Sequence, residues 1–138
     1  MSQRIRVGVI GCGAISGRYL QTSRSFPILE IAACADLDRR AAEKRAAEFD
    51  VPRVLDVEEL LSDGSIDIVL NLTVPKAHAP VSLAALEAGK HVYVEKPLAV
   101  TREDGQAILS AARKRKLLVG CAPDTFMGFG LQTARKAI

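Results

Sequence analysis

The stretch Val7-Gly8-Val9-Ile10-Gly11-Cys12-Gly13-Ala14-Ile15-Ser16 carries an apolar run that breaks into two glycines one residue apart. The run, Ile5-Arg6-Val7-Gly8-Val9-Ile10, has the β-branched content of a buried strand. Two readings of the break compete. It is a cradle for a pyrophosphate, or it is only a tight strand-to-helix turn. A G-x-G alone does not choose between them, so the choice rests on what the rest of the chain places around it.

Working outward, short apolar runs recur at 4–10, 28–35, 53–55, 66–71, 91–95 and 117–121, separated by segments of helical character. Most are rich in Val, Ile and Leu without clean alternation, as expected of parallel strands covered by helices on both faces. Arg53-Val54-Leu55 is the weakest and reads as an edge. Asp38 is placed to cap a helix over Arg39 to Phe49. Asp56-Val57-Glu58-Glu59 reads as a capping box. Pro80 fits the first turn of a helix through Leu83 and Leu86, with Gly89 as its stop. Thr101 caps a last helix, in which Ile108, Ala111, Ala112 and Arg115 repeat at helical spacing and Gly105 costs about 1 kcal/mol. Six strands alternating with helices predict an α/β fold. Right-handed crossovers make it a doubly wound parallel sheet, with the runs in the order 3-2-1-4-5-6.

In such a sheet, ligands bind beyond the carboxyl ends of the strands. Gly11 follows the first strand and permits the sharp turn. Gly13 opens the first helix and lets backbone approach a pyrophosphate at the helix N-terminus. Ser16 holds the third fingerprint position; it is small enough for close packing, and Gly17 adds room. Cys12, Ala14 and Ile15 complete the loop and offer backbone N–H groups. Asp36 ends the second run, where an acid accepts hydrogen bonds from the adenosine ribose. This context favours the cradle: a Rossmann dinucleotide site. The carboxylate of Asp36 repels a 2′-phosphate, so NAD is expected over NADP. Arg39 and Arg40 lie close enough to complicate that preference; Arg40 is expected beside the adenine end, and Leu37 is expected among the cofactor-binding residues. A mononucleotide or flavin domain is disfavoured by Asp36.

The totals narrow the classes. A chain of 138 residues with 49% hydrophobic and 25% charged residues fits one globular core. No run approaches the roughly 20 apolar residues of a membrane helix, and no signal-peptide pattern precedes the first strand. Cys12, Cys34 and Cys121 show no C-x-x-C spacing, so neither a disulfide framework nor a metal site is expected, and a reducing, cytoplasmic setting is. The net charge of +3 and 4% aromatics give no nucleic-acid surface. Arg113-Lys114-Arg115-Lys116 reads as a solvated helix end.

The remaining strand ends carry Asn71-Leu72-Thr73-Val74-Pro75-Lys76-Ala77-His78 and Val94-Glu95-Lys96-Pro97. With G-C-G-A-I and Asp36, the T-x-P-x-x-H of Thr73, Pro75 and His78 and the triplet Glu95-Lys96-Pro97 make the chain resemble the N-terminal Rossmann domain of the Gfo/Idh/MocA oxidoreductases. Pro123 to Gly128, running on to Gln132-Thr133-Ala134-Arg135, is similar to that family's exit from the domain. The resemblance covers essentially the whole chain, except that Lys76 stands where the family often has Asn.

The resemblance implies a hydride exchange between a nicotinamide cofactor and a sugar, cyclitol or related polyol. It implies a catalytic Lys96, preceding a cis Lys96-Pro97 bond. It also implies that Glu95 faces the nicotinamide ribose; Leu72 and Thr73 are expected to pass under the cofactor through backbone and small side-chain contacts. For His78, a cofactor-edge role and a supporting role stand side by side. Residues 1–122 are expected as the dinucleotide domain and 123–138 as the start of a connection to a second α/β domain. That domain would supply substrate contacts and a homo-oligomer interface, so the chain alone is expected to be inactive. The rival reading is a non-catalytic, dinucleotide-binding regulatory protein. A proton-handling Lys96 speaks against it.

Overall fold

The structure is a computed structural model and describes residues 4–123 and 125–138; Met1 to Gln3 and Asp124 of the exit segment lie outside the described residues. Five strands form one parallel sheet: β1 (Ile5–Ile10), β2 (Leu29–Ala35), β3 (Ile68–Asn71), β4 (His91–Val94) and β5 (Val119–Cys121). Their spatial order is β2-β1-β3-β4-β5. Val9 of β1, an inner strand, sits opposite Cys34 on one side and Leu70 on the other.

The sheet has five strands, not six. The run 53–55 makes a single parallel bridge, Val54 to Cys34, outside any strand. Two hydrogen bonds fasten it, from Cys34 N–H to the Arg53 carbonyl and from Leu55 N–H to the Cys34 carbonyl, both 3.0 Å. Pro52 before it and a helix cap at Asp56 after it leave no room for a longer ladder. The position beside β2 is the one expected.

Helices α1 (Ser16–Ser23) and α2 (Arg39–Phe49) cover one face; α3 (Val57–Ser62), α4 (Pro75–Glu87) and α5 (Arg102–Arg115) belong to the other. Strand alternation feeds both cores. Val7 and Val9 join Leu20, Ala42 and Ala46 on the first face. Ile10, Val69, Val92 and Val94 join Leu60, Leu86 and Ile108 on the second. Most expected caps form. Asp38 accepts from Arg40 N–H at 3.0 Å, Glu59 accepts from Asp56 N–H at 2.9 Å, and Thr101 accepts from Asp104 N–H at 3.1 Å.

Pro80 departs from expectation. Helix α4 starts at Pro75, which takes the first-turn position, and Pro80 lies inside the helix. Its missing N–H leaves the carbonyl of Lys76, one turn back, without its helical donor. Both residues are exposed, so water serves that group. Gly89 ends α4 as expected, at φ +78°. The N–H groups of Gly89 and Lys90 return to the carbonyls of Leu86 and Ala85. The basic cluster forms the exposed last turn of α5 and its left-handed cap at Lys116.

Part of the first face stays uncovered. Tyr93 on β4 is 41% exposed, with its ring across Gly120 of β5. An apolar hollow of about 360 Å³ runs beside it, lined by Val7, Phe26, Ile31, Ile68 and Leu70 among others. Beyond a 3-10 turn (Thr125–Met127), helix α6 (Phe129–Ala137) buries no residue, and Phe126, Met127, Phe129 and Leu131 are exposed. No helix among the described residues is long and apolar enough to cross a membrane.

Below the sheet, opposite the site, a polar knot joins three connections. The Asp63 carboxylate accepts from Ser65 N–H at 2.8 Å and pairs with Arg53 at 2.7 Å. Lys90 is buried, its ammonium donating to the carbonyls of Asp63 (2.7 Å) and Ile66 (3.0 Å). Burial pushes the Lys90 ammonium below its ordinary pKa. Hydrogen bonds from Ser65, then the Arg53 guanidinium, hold the Asp63 carboxyl well below the usual carboxylate range. A depressed carboxyl stabilises the fold above its unfolded pKa, near 4, and that contribution is lost as pH falls through the folded value. Asp63→Asn is therefore expected to lower the urea midpoint at pH 7, with the gap to the parent chain narrowing towards pH 3. Urea titrations across that range check this; a constant gap refutes the assignment.

Candidate functional site

The chain moves from β1 outward to β2, then crosses to β3 on the other side of β1. The crevice between the ends of β1 and β3 is thus the topological switch point, where open α/β sheets bind ligands. Gly11 lies there at φ +102°. A Cβ on it would stand 2.6 Å from the Leu72 carbonyl carbon and 2.7 Å from Thr73 N. No side chain fits, and the positive φ favours glycine independently. Gly13 differs: a Cβ there would meet no atom within 4 Å. The chain itself places no neighbour against it, and the free space is what an approaching ligand would use.

A cleft of about 440 Å³ opens at this point. Of the expected residues, Gly11, Gly13, Ala14, Ile15, Asp36, Leu37, Leu72 and Thr73 line it. The helix starts later than expected: residues 13–15 form a turn closed by Ser16 N–H on the Gly13 carbonyl (3.2 Å), and α1 begins at Ser16. Ser16 is buried, as its small size allows. The N–H groups of Gly13, Ala14 and Ile15 donate to no protein acceptor among the described residues.

Cys12 is different. Its N–H donates to Asp36 Oδ2 at 2.6 Å, and its side chain is buried against the Ala35 carbonyl. A hydrogen bond with the Cys34 thiol, then burial, keeps the Cys12 thiol protonated well above the ordinary thiol range. Asp36 accepts from Asp38 N–H as well, at 2.9 Å. It therefore ties the glycine loop to the end of β2 while still facing the cleft. Leu37 beside it is fully exposed. Arg39 is engaged by Glu43 and Asp56. The Arg40 guanidinium has no partner among the described residues and does not line the cleft.

The last expected residues gather around the end of β4. Glu95 and Lys96 line a depression of about 330 Å³ with Ile15, Arg18 and Tyr19, so Ile15 borders both hollows. Glu95 accepts from the Tyr19 hydroxyl (2.9 Å) and from Lys96 N–H (2.7 Å). The Lys96 side chain is exposed, and its ammonium has no partner among the described residues. The Lys96-Pro97 bond is cis, as the resemblance implied. His78 lies beneath this corner, 1% exposed, with Nδ1 2.6 Å from the Pro97 carbonyl and Nε2 3.0 Å from the Thr73 carbonyl.

Three features escaped the sequence reading. Buried Asn71 accepts from the Thr73 hydroxyl at 2.7 Å and donates to the His78 carbonyl and Ser82. Its i to i+2 spacing from Thr73 was an available turn signal. The Tyr19–Glu95 bond spans 76 residues and left no local trace. Arg45, in the middle of a helix of charged residues, reaches the carbonyls of Cys12 and Gly13.

The two loop glycines predict opposite mutational outcomes. Gly11→Ala is expected to destabilise the fold by several kcal/mol, about 2 or more, since neither the φ nor the backbone contact tolerates a methyl group. Gly13→Ala is expected to leave thermal stability within about 0.5 kcal/mol and to weaken binding of ADP at least several-fold. Thermal melts and ADP titration of both variants check this; equal melts for the two would contradict it.

Comparison with known proteins agrees with this geometry. Residues 5–122 match the Gfo/Idh/MocA family model, described as an oxidoreductase family with an NAD-binding Rossmann fold. A dTDP-3,4-didehydro-2,6-dideoxy-alpha-D-glucose 3-reductase of Saccharopolyspora spinosa is 37% identical over 120 residues, covering 86% of this chain and 36% of that protein. An inositol 2-dehydrogenase of Salmonella typhimurium is 30% identical over 113 residues, covering 80% and 34%. Among solved structures, a 3-ketoreductase from Actinomadura kijaniata, in complex with TDP-benzene and NADP, superposes with a TM-score of 0.90 at 29% identity, covering 98% of this chain and 43% of that one. The chain thus spans about a third of the length of these two enzymes. With a family model matched across nearly all of its sheet and a glycine loop built as that fold requires, the chain belongs to the Gfo/Idh/MocA oxidoreductase family and forms its NAD-binding Rossmann domain.

Proposed function

We propose that this domain holds NAD for an oxidoreductase acting on a sugar, cyclitol or related polyol, and that residues 123–138 begin the connection to a further domain. The observation that carries the reading is the cleft at the switch point. It joins three unengaged N–H groups, an open space over Gly13 and the carboxylate of Asp36. The donors suit a pyrophosphate and the carboxylate suits ribose hydroxyls, so the residues present fit the dinucleotide. The sugar and inositol enzymes among the relatives support the substrate class.

The nicotinamide, when bound, supplies the hydride chemistry. The chain's own residues orient and handle protons. Leu72 and Thr73 floor the cleft beside the loop. Glu95, fixed by Tyr19, borders the nicotinamide end. Cys12 and His78 contribute from below, by holding the loop and the strand ends in place. Lys96 is the catalytic residue. Its free ammonium at the end of β4 donates a hydrogen bond to the reacting oxygen of the substrate, stabilises negative charge there and helps carry the proton. The pairing of Glu95 with Tyr19 and Lys96 N–H leaves that ammonium without an intramolecular carboxylate partner.

Cofactor choice follows from the Asp36 corner. A 2′-phosphate meets the carboxylate, so NAD binds more tightly than NADP. Unpaired Arg40 is the guanidinium closest in sequence that is free to soften the difference. Calorimetric titration of both cofactors is expected to favour NAD by about ten-fold, the equivalent of 1.4 kcal/mol. Asp36→Ala narrows that gap, and Lys96→Ala leaves NAD affinity within about two-fold, because the lysine serves the substrate. In the intact enzyme, Lys96→Ala lowers kcat by about 100-fold or more, and Lys96→Arg does not restore it. Equal NAD and NADP affinities sink the preference. Near-normal turnover without Lys96 sinks its role.

A further inference from the structure

Arg45 lies on α2, away from the cleft lining, yet its guanidinium points at the glycine loop. Nε is 3.4 Å from the Cys12 carbonyl and Nη2 is 3.3 Å from the Gly13 carbonyl. The third nitrogen, Nη1, pairs with Glu48 at 2.7 Å, and the side chain is only 20% exposed. Gly17 makes the approach possible: a Cβ on it would stand 3.3 Å from Nη1 and 3.3 Å from the Phe49 ring. A planar guanidinium is suited to this task, because its fork reaches two carbonyls at once while a third bond fixes its plane.

The consequence falls on the opposite side of the same peptides. The Cys12 carbonyl belongs to the peptide that carries Gly13 N–H, and the Gly13 carbonyl to the one that carries Ala14 N–H. In a planar trans peptide, C=O and N–H point in opposite directions. Drawing both carbonyls towards α2 therefore turns both N–H groups away from α2. These are two of the three loop donors that no protein acceptor engages. The neighbouring peptide is fixed in the other sense, since Cys12 N–H is held by Asp36. The loop is thus pinned by the Arg45 cation on its carbonyls, that of Gly13 being shared with Ser16 Oγ (2.6 Å) and Ser16 N–H (3.2 Å), and by the Asp36 anion on the Cys12 N–H.

We infer that Arg45 is a positioning residue for dinucleotide binding: it presets the glycine loop by holding the Cys12 and Gly13 carbonyls, so that the Gly13 and Ala14 N–H groups are aimed at the pyrophosphate before it arrives. The inference rests on the dinucleotide reading above and adds to it a residue that touches no part of the ligand. Preorganised donors cost no reordering when the ligand binds, so the loss of Arg45 appears in affinity for the phosphate part alone. Arg39, Arg40 and Arg18 do not share the role, since none of them reaches the loop carbonyls.

The test separates the phosphate-bearing part of the ligand from the rest. Adenosine, ADP and NAD are titrated into the parent chain, Arg45→Met and Arg45→Lys, and the amide spectrum of each ligand-free protein is recorded. Arg45→Met is expected to weaken ADP and NAD by about ten-fold while adenosine stays within about two-fold. The Gly13 and Ala14 amide signals shift or broaden without ligand. Arg45→Lys recovers only part of the loss, because an ammonium does not span both carbonyls in one plane. Equal losses for adenosine and ADP mark a general loosening of the fold and overturn the inference. So do unchanged ADP affinity or an unmoved Gly13–Ala14 spectrum. If Arg45→Met does not fold, Arg45→Lys decides by the same readouts. A parent chain that binds neither ADP nor NAD refutes the dinucleotide reading, and this inference with it; a parent that binds both while the variants match it refutes the inference alone.

Discussion

The closest constraint in the molecule is the passage of Gly11 over the Leu72–Thr73 peptide. With the room for one methyl group missing at 2.6 Å, two backbone segments pass where side chains normally keep them apart. That proximity lets the ends of β1 and β3 meet at the switch point. It is locked by ladder bonds on both sides: Gly11 N–H to the Ala35 carbonyl at 2.9 Å and Leu72 N–H to the Ile10 carbonyl at 2.8 Å. Three strand ends thus converge within one crevice. Asp36, Gly11 and Thr73 come from positions far apart in sequence, yet they need no further device to become neighbours.

The end of β4 is tied in by different means. Strand pairing brings Asn71 opposite Val94, and the backbone then continues into Glu95 with a bond from its N–H to the Asn71 carbonyl at 3.0 Å. Beyond that the ladder ends and side chains take over. The His78 ring spans from the Thr73 carbonyl to the Pro97 carbonyl, Asn71 holds the backbone of His78, and Tyr19 reaches across from α1 to Glu95. The His78 ring and Tyr19 bonds fix loop residues, while the Asn71 bond anchors the start of α4 that carries His78. A loop with so many polar partners has little freedom to turn, which fits the role proposed above for Lys96.

Much of this was legible in local sequence, and the reasons are physical. A glycine pair between a strand and a helix, an acid closing the next strand, and Asp, Thr and Gly at helix ends each act over a few residues, so spacing alone exposes them. Arg53-Val54-Leu55 misled because strand length depends on flanking partners: proline and a helix cap cut it to one bridge. Pro80 misled because a first-turn proline was already present at Pro75, and one exposed mid-helix proline is tolerated where its partner carbonyl meets water. His78 left two roles open in sequence; its burial between two carbonyls is a fact of tertiary packing. Arg45 was hidden for the same reason, since nothing in Arg39 to Phe49 separates the arginine that turns inward from those that face solvent.

The distribution of hydrogen-bonding capacity over the sheet supports the functional reading better than any single residue. At the amino-terminal edge of the strands, most polar groups are matched within the protein: Asp63 accepts from Ser65 and ion-pairs with Arg53, Lys90 reaches two carbonyls, and Asp67 accepts from Arg6 N–H at 2.8 Å, while Arg6 Nε and Arg53 Nη2 stay buried without a hydrogen-bond partner. Such pairing serves stability, because a buried group left alone costs about 1–3 kcal/mol. At the carboxyl-terminal edge the matching is selective. The Cys12 and Gly13 carbonyls, the Cys12 N–H and the Glu95 carboxylate are all engaged. The next three loop N–H groups and the Lys96 ammonium are not. The unmatched groups are donors, and they sit where a helix begins and a strand ends. A set of fixed donors beside one carboxylate is complementary to a ligand with anionic phosphates at its centre and hydroxyls at its adenosine end. The protein withholds partners from those groups and supplies them to the Cys12 N–H, the Cys12 and Gly13 carbonyls and the Glu95 carboxylate beside them.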